Sequence, residues 1–435
     1  MKKFKLTKLC VVSIVLLSIS LSISTHEYPF YELKRATTDL DSHNPVASNP
    51  KEFISVWDTT KISEGSSSSN QVCLPLESSG TYNFTVEWGD MNNDTIINWD
   101  QPTAIHTYNS EGVYTISIMG TIIGWRFGFG GDKLKILQIQ QWGCLQLGNS
   151  EKYFSGCSNL ALTATDDINL TGTTSLHSAF RNCPSLSSNG NMNNWDTSKV
   201  TNMDFMFYGA SSFNISIDNW NVSRVTTMRF MFHGASSFNQ YLGDWDVSSV
   251  NDMSYMFTDS SSFNQPIGDW NVSNVTNMDY IFYFASSFNQ PLGNWDVPSV
   301  NTMRFMFCFA PSFDQPLGNW NVSNVKNMDY MFYGVALSTS NYDQLLIGWS
   351  QLSLRFNVTF DAGSSKYSSA AKDAKLAIIN NFNWLIRDGG IVTSVTDGEI
   401  PSIYILVFVV LIITIGLIIN KRTIKNRKVN PTDSL

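Results

Sequence analysis

The stretch that decides the fold is residues 269–295, which read DWNVSNVTNMDYIFYFASSFNQPLGNW. Related copies lie on both sides of it, and equivalent positions recur every 25 residues. Each copy carries a tryptophan, then a valine 5, a methionine 8 and a phenylalanine 12 residues later. The tryptophans that begin these copies are Trp195, Trp220, Trp245, Trp270, Trp295 and Trp320. Two looser copies, around Phe154 and Phe180, bring the number of units to about eight.

This period predicts a stack of coils. Leucine-rich repeats have periods between about 20 and 29 residues, and a single coil cannot bury its own apolar side chains without a neighbour. We expect the segment Val-x-x-Met to form a strand and the segment Met-Phe-x-x-Ala-Ser-Ser-Phe to form a helical or 3₁₀ return. The predicted fold is therefore a mainly β or mixed leucine-rich-repeat-type solenoid over residues 139–350, closed by a capping segment over 351–390.

The region ahead of the repeats predicts a small β-sandwich over residues 51–138. Apolar and polar residues alternate in Tyr82–Trp88 and in Val113–Met119, as they do in half-buried strands. Turn residues separate these runs, which is typical of an antiparallel all-β domain.

Both ends of the chain suggest export and membrane attachment. We expect a signal peptide over residues 1–25, a linker over 26–50, a tether over 391–401, a transmembrane helix over 402–420 and a cytoplasmic tail over 421–435. The alternatives are a retained N-terminal anchor and a buried core helix near the C-terminus. Clustered positive charge beside the second apolar run predicts that the tail lies in the cytoplasm. These charges are Lys421, Arg422, Lys425, Arg427 and Lys428.

Composition and charge argue against a nucleic-acid partner. Charged residues make up 15% of the chain, below the roughly 25% of an average soluble protein. Without the charged residues of the predicted signal and tail, Asp433 included, 19 basic and 35 acidic residues remain, a net charge near −16. Such a surface repels phosphate groups and suits cations, basic partners or simple solubility.

The repeated motif resembles the BspA-like leucine-rich repeat surface proteins. The resemblance covers residues 140–350 and rests on Asp269–Tyr280 and its copies, each followed by Met-Phe-x-x-Ala-Ser-Ser-Phe-Asn-Gln-Pro-Leu or a close variant. The preceding region resembles a PKD-like β-sandwich through Trp88-Gly89-Asp90, His106-Thr107-Tyr108 and Gly112–Thr115, although Met91 stands where that family usually has Gly. The resemblance implies an extracellular surface protein used for adhesion or recognition, with no catalytic residues to transfer.

These observations predict a non-enzymatic, single-pass cell-surface protein that binds an extracellular protein or glycan through the repeats. A structural envelope component without a specific ligand is the main alternative, and a surface hydrolase is a more distant one. The expected contact residues are the variable positions directly after the methionine column. These are Asp204, Arg229, Ser254, Asp279, Arg304 and Asp329.

Two further sites remain open from the sequence. Asp90, Asn92 and Asp94 share the spacing of a calcium loop, but Thr95 and Gln101 replace its Gly and Glu, so a solvated turn is the main interpretation and calcium the alternative. No other cofactor is predicted. Cys157 and Cys183 share one column, for which two buried thiols are the main interpretation and a disulfide is the alternative. Nine Asn-x-Ser/Thr sequons make glycosylation a further expectation.

Overall fold

The computed structural model describes residues 51–187 and 190–392. They belong to the second of two units into which the chain divides. The predicted signal peptide, linker, transmembrane helix and tail lie outside these ranges, and of the predicted tether over 391–401 only residues 391 and 392 are described. No helix within the described ranges is long and apolar enough to cross a bilayer.

The N-terminal strands form one mixed sheet. Its strands are β1 (Phe53–Asp58), β3 (Thr81–Glu87), β4 (Asn93–Ile96), β6 (Val113–Ile123), β7 (Ile136–Gln141), β8 (Leu145–Gln146) and β9 (Ala161–Leu162). The order is β4-β3-β6-β1-β7-β9, and β8 pairs with β6. The alternation read from the sequence is visible in β3, where every second residue is buried.

The predicted β-sandwich is wrong in its arrangement. The only other strands of this region form a two-stranded antiparallel ribbon of β2 (Gln71–Cys73) and β5 (Ile105–Thr107). A 3₁₀ turn over Pro102–Ala104 directly precedes β5. The large sheet also continues into the first repeats, because β8 and β9 pair in parallel with β6 and β7. Sheet and repeats therefore share one hydrophobic core.

The predicted leucine-rich-repeat-type solenoid is also wrong. The described residues between β9 and residue 339 contain no helix and no strand longer than a single bridge. Each unit is instead a series of turns, joined to the next unit by one parallel bridge such as Asn202↔Thr227 or Thr227↔Asp252. Neither the Val-x-x-Met strand nor the helical return exists.

The hydrogen-bond pattern explains why no strand forms. Alternate backbone N–H groups donate to the following unit, as Met203 does to Thr227 and Phe207 to Met231. Residues between them close local turns, since the N–H of Met206 donates to Met203. Phe205 has a φ of 58°, which is incompatible with an extended strand. The chain thus reverses its direction locally while it still bonds from unit to unit.

The apolar columns pack as the period predicts. The valine, methionine and phenylalanine columns are buried, and the repeated tryptophans are at most 3% exposed. Phenylalanines of neighbouring units stack, with 5.8 Å between the ring centroids of Phe207 and Phe232. The indole N–H of Trp270 donates to the main-chain oxygen of Leu242 at 2.9 Å, and the same bond recurs at other tryptophans. Core packing therefore accounts for both the methionine and the tryptophan columns.

An asparagine ladder joins the units on another side. The side-chain oxygen of Asn239 accepts the backbone N–H of Asn264, and that of Asn264 accepts the backbone N–H of Asn289. Asp314 continues the ladder beyond the last asparagine, since its carboxylate accepts the backbone N–H of Ser338. This polar column therefore bonds the backbone of each unit to a side chain of the unit before it.

The segment after the repeats contains two helices and two short strands. These are α1 (Thr339–Ser350), β10 (Thr359–Asp361), α2 (Lys372–Phe382) and β11 (Leu385–Arg387), with a 3₁₀ turn over Ser369–Ala371 before α2. The oxygen of Ser338 caps α1 by accepting the N–H of Asn341. β10 pairs in parallel with β11 and continues the bonding of the last unit through Met328↔Phe360.

Candidate interaction surface

The structure pairs the predicted contact residues across units. The guanidinium of Arg229 lies 2.6 Å from the carboxylate of Asp204, and that of Arg304 lies 2.7 Å from the carboxylate of Asp279. Each aspartate also accepts the backbone N–H of its arginine. The hydrogen bond that each guanidinium donates to its aspartate is the main cause that raises the pKa of both arginines.

The same residues differ widely in exposure. The Asp204 and Asp279 side chains are 2% and 6% exposed, whereas those of Arg229 and Arg304 are 47% and 46% exposed. Ser254 is buried, and Asp329 is half-buried with a carboxylate that has no cation within 4.0 Å among the described residues. A partner that reaches this column therefore meets the two arginines first.

Beside this column runs a ladder of aromatic rings, here called the outer aromatic column. Its neighbouring ring centroids are 4.3–4.8 Å apart, and the ring planes are within 16° of parallel. Stacked rings in this geometry contribute about 0.5–1.5 kcal/mol per pair beyond the area they bury. The members are Phe205, Phe230, Tyr255, Tyr280, Phe305 and Tyr330.

The backbone does not require aromatic residues in this column. All six members have φ between 54° and 60°, a region that glycine and asparagine enter at least cost. Lys152 and Ser178, in the earlier units, have the same positive φ without a ring. The aromatic side chains therefore occupy a conformation that other residues adopt more easily, and stacking and surface chemistry are the remaining explanations.

Exposed rings concentrate at the C-terminal end of the column, in a region here called the aromatic patch. Phe284, Phe309, Tyr330 and Tyr333 are 38–48% exposed. Phe284 stacks on Phe309 at 4.7 Å, and Tyr333 packs edge-on against both Phe309 and Tyr330. Earlier units carry Gly209, Gly234 and Asp259 at the positions of Phe284 and Phe309. The patch is thus a local feature of the last units.

The aromatic patch combines apolar area with the hydroxyls of Tyr330 and Tyr333, and further tyrosines lie next to it. Burial is the main cause that raises the pKa of the Tyr255, Tyr280 and Tyr283 hydroxyls, which keeps them protonated at neutral pH. Arg304 adds a half-exposed guanidinium beside the outer aromatic column, because its charge interacts with Tyr255 and Tyr280. Clusters of exposed rings of this kind mark binding surfaces in soluble proteins.

The sequence contained a signal for this surface that the prediction missed. Each predicted contact residue immediately precedes a member of the outer aromatic column, as Asp279 precedes Tyr280. All six positions also have a positive φ, which cannot be read from the 25-residue period.

The predicted calcium residues bind protein groups. Asp90 bonds to His106 at 2.9 Å and accepts the N–H of Asn92, while Asp94 accepts the indole N–H of Trp88 at 2.8 Å. No cluster of three or more acidic, histidine or cysteine side chains suited to a metal occurs in the ranges that the structure describes.

Cys157 and Cys183 are both free and buried in the structure. The Cys183 thiol donates to the main-chain oxygen of Phe154 at 3.1 Å. Burial raises the pKa of both thiols well above the usual value, which keeps them protonated and unreactive.

One family model matches the repeats. Residues 148–260 and 241–349 match a family described as Mycoplasma protein of unknown function, DUF285, a family found in BspA-like surface proteins. No curated protein and no solved structure matches the chain. The similarity is confined to the repeat region, and the family description names no leucine-rich repeat.

Proposed function

We propose that this protein is a BspA-like cell-surface recognition protein that binds an extracellular protein through the aromatic patch. The observation that carries the proposal is the group of exposed rings formed by Phe284, Phe309, Tyr330 and Tyr333. Tyrosine and arginine dominate the energetics of protein interfaces because they combine apolar area with donors. The similarity of the repeats to DUF285 supports a surface role.

The orientation of the rings favours a protein partner over a glycan at this patch. Sugars bind aromatic rings by lying on a ring face. In the outer aromatic column most faces are already covered by the neighbouring ring, as Tyr280 is by Tyr255 and Phe305. The ring edges carry a partial positive charge and suit carbonyl oxygens and the side chains of a protein.

Export and membrane attachment stay predictions from the sequence. The signal peptide 1–25 and the segment 402–420 lie outside the described residues. The acidic net charge and the low content of charged side chains agree with a protein that works outside the cell, and they disfavour a nucleic-acid partner.

A binding assay with matched tyrosines tests the proposal. Cells that display the full-length protein would be incubated with an array of extracellular proteins. We expect Tyr330→Ser to reduce the bound signal at least tenfold. Tyr241→Ser is the control, because Tyr241 is also 40% exposed but is not a member of the patch. Equal loss with both variants, or ordered self-association of the protein with no bound partner, would contradict the proposal.

A further inference from the structure

A groove lies along the last repeat units and ends at α1. It has a volume of about 630 Å³. Three equivalent segments line it, each with the pattern Pro-x-Gly followed by Asp or Asn, and Gln344, Ile347 and Gly348 of α1 close it. The lining segments begin at Pro266, Pro291 and Pro316.

Glycines keep the floor of this groove at the level of the backbone. A Cβ at Gly268 would lie 2.5 Å from the carbonyl oxygen of Pro291, and one at Gly318 would lie 2.5 Å from that of Gln344. A Cβ at Gly348 would lie 2.1 Å from the oxygen of Gly318. Any larger residue at these three positions would separate α1 and the units, so close packing of backbones makes the groove.

The polar groups that line the groove are free to bind. Asp269, Asn294 and Asn319 are exposed, and their side chains have no hydrogen-bond partner within the described residues. No lysine or arginine is among the groove's lining residues. An anionic ligand would therefore meet a carboxylate without any compensating cation, which excludes phosphates and acidic polysaccharides on electrostatic grounds. Amide groups can both donate and accept hydrogen bonds, as hydroxyl-rich neutral ligands require.

An exposed aromatic ring extends this line of residues by one unit. Tyr241 occupies the position of the groove prolines in the preceding unit, and its ring lies over Gly243, where an added Cβ would be 2.5–2.7 Å from the ring atoms. Its hydroxyl donates to Asp244 at 3.0 Å. Asp269 of the groove is close enough to influence the same hydroxyl. The ring is therefore fixed against the surface and is 40% exposed.

We propose that this groove binds an extended chain of neutral sugars, with Tyr241 as the stacking platform at one end. The C–H groups of a sugar ring suit the negatively charged face of an aromatic ring. Proline and isoleucine side chains supply further apolar contacts, while Asn294 and Asn319 bond the sugar hydroxyls and fix the orientation. The site is separate from the aromatic patch, so neither proposal depends on the other.

Calorimetric titration of the purified full-length protein tests the site. The probes are neutral hexasaccharides of cellulose, of chitin and of β-1,3-glucan. We expect at least one to bind saturably, and Tyr241→Ala to weaken that binding roughly tenfold, the equivalent of one stacking contact. The double variant Asn294→Ala with Asn319→Ala should weaken it further while retaining the wild-type melting temperature, because both side chains are exposed.

Tyr330→Ser is the control and should leave sugar binding unchanged. The proposal is overturned if none of the three hexasaccharides binds, or if binding survives both groove substitutions. It is also overturned if the groove variants lose binding to an extracellular protein and not to a sugar, because the occupant would then be a polypeptide. If only Tyr330→Ser loses protein binding, that result tests the aromatic patch and says nothing about the groove.

Discussion

The guanidinium of Arg304 lies 2.7 Å from the carboxylate of Asp279 in the preceding unit, and the two side chains differ in exposure, 46% against 6%. The Asp279 carboxylate also accepts the Arg304 backbone N–H and the Thr302 hydroxyl. The aspartate therefore joins two units from inside, while the arginine is available to a partner.

This asymmetry predicts different effects of removing each partner. Asp279→Ala should lower the free energy of unfolding by about 2 kcal/mol, because it leaves buried donors unpaired. Arg304→Ala should cost less, since half of its side chain is in water and Asp279 keeps two hydrogen bonds. Thermal unfolding of both variants measures the difference. A larger loss with Arg304→Ala would show that the carboxylate is not the buried anchor. Asp204 and Arg229 offer the same comparison three units earlier.

The tryptophan column allows a matched test of one hydrogen bond. The indole N–H of Trp270 donates to Leu242, whereas that of Trp195 has no partner among the described residues. Both tryptophans are nearly fully buried. Trp270→Phe should therefore destabilise the protein by roughly 1 kcal/mol more than Trp195→Phe, because it removes one of the two hydrogen bonds that the Leu242 oxygen accepts, whereas Trp195→Phe removes none from its indole N–H. Chemical denaturation of the two variants checks this, and equal losses would contradict it.

Stability should fall below about pH 6.5 because of His233. Burial lowers the pKa of His233, and its ring stacks on Tyr208 at 4.5 Å. A histidine whose pKa is lower in the folded state binds its proton more readily when unfolded. The contribution of neutral His233 to the free energy of unfolding is therefore complete above the unfolded pKa of about 6.5. It is lost progressively as the pH falls below that value.

Melting temperatures measured from pH 8 to pH 5 test this prediction. His233→Gln should flatten the profile, and only in part, because burial also lowers the pKa of His177. A profile that is identical in the variant and the original protein would argue against the role of His233.

Thiol labelling distinguishes the two interpretations of Cys157 and Cys183. Both are free and buried, so a thiol reagent should leave them unlabelled in the native protein and label both after denaturation without a reductant. Cys73 and Cys144 are partly exposed and serve as internal comparisons. Mass spectrometry of the labelled peptides gives the answer. Labelling of Cys157 and Cys183 only after reduction would establish the disulfide.

The 25-residue period was sufficient to predict which residues are buried. Val200, Met203 and Phe207 recur at fixed spacing, and any stack of equal units must bury such columns together. The period could not predict the local backbone. A φ of 58° at Phe205 replaces the expected strand by turns, and no residue type in the motif signals it.

The candidate surfaces were predicted only in part. Arg229 and Arg304 are exposed as expected, but Asp204, Ser254 and Asp279 are buried, because an inter-unit contact and an exposed variable position produce the same spacing. The groove depends on α1, whose position against Gly318 arises from backbone packing between segments distant in sequence. Such a contact has no signature within one repeat.

Bonding of every unit to the next through equivalent backbone groups has a consequence for how this gene can change. Loss or gain of 25 codons within the repeats would join Asn239 to the ladder position of Asn289 as readily as to that of Asn264, so no core residue would move to the surface. Insertion or deletion of a single codon would instead move every following residue out of its column. Variation in this protein is therefore expected to occur in whole units.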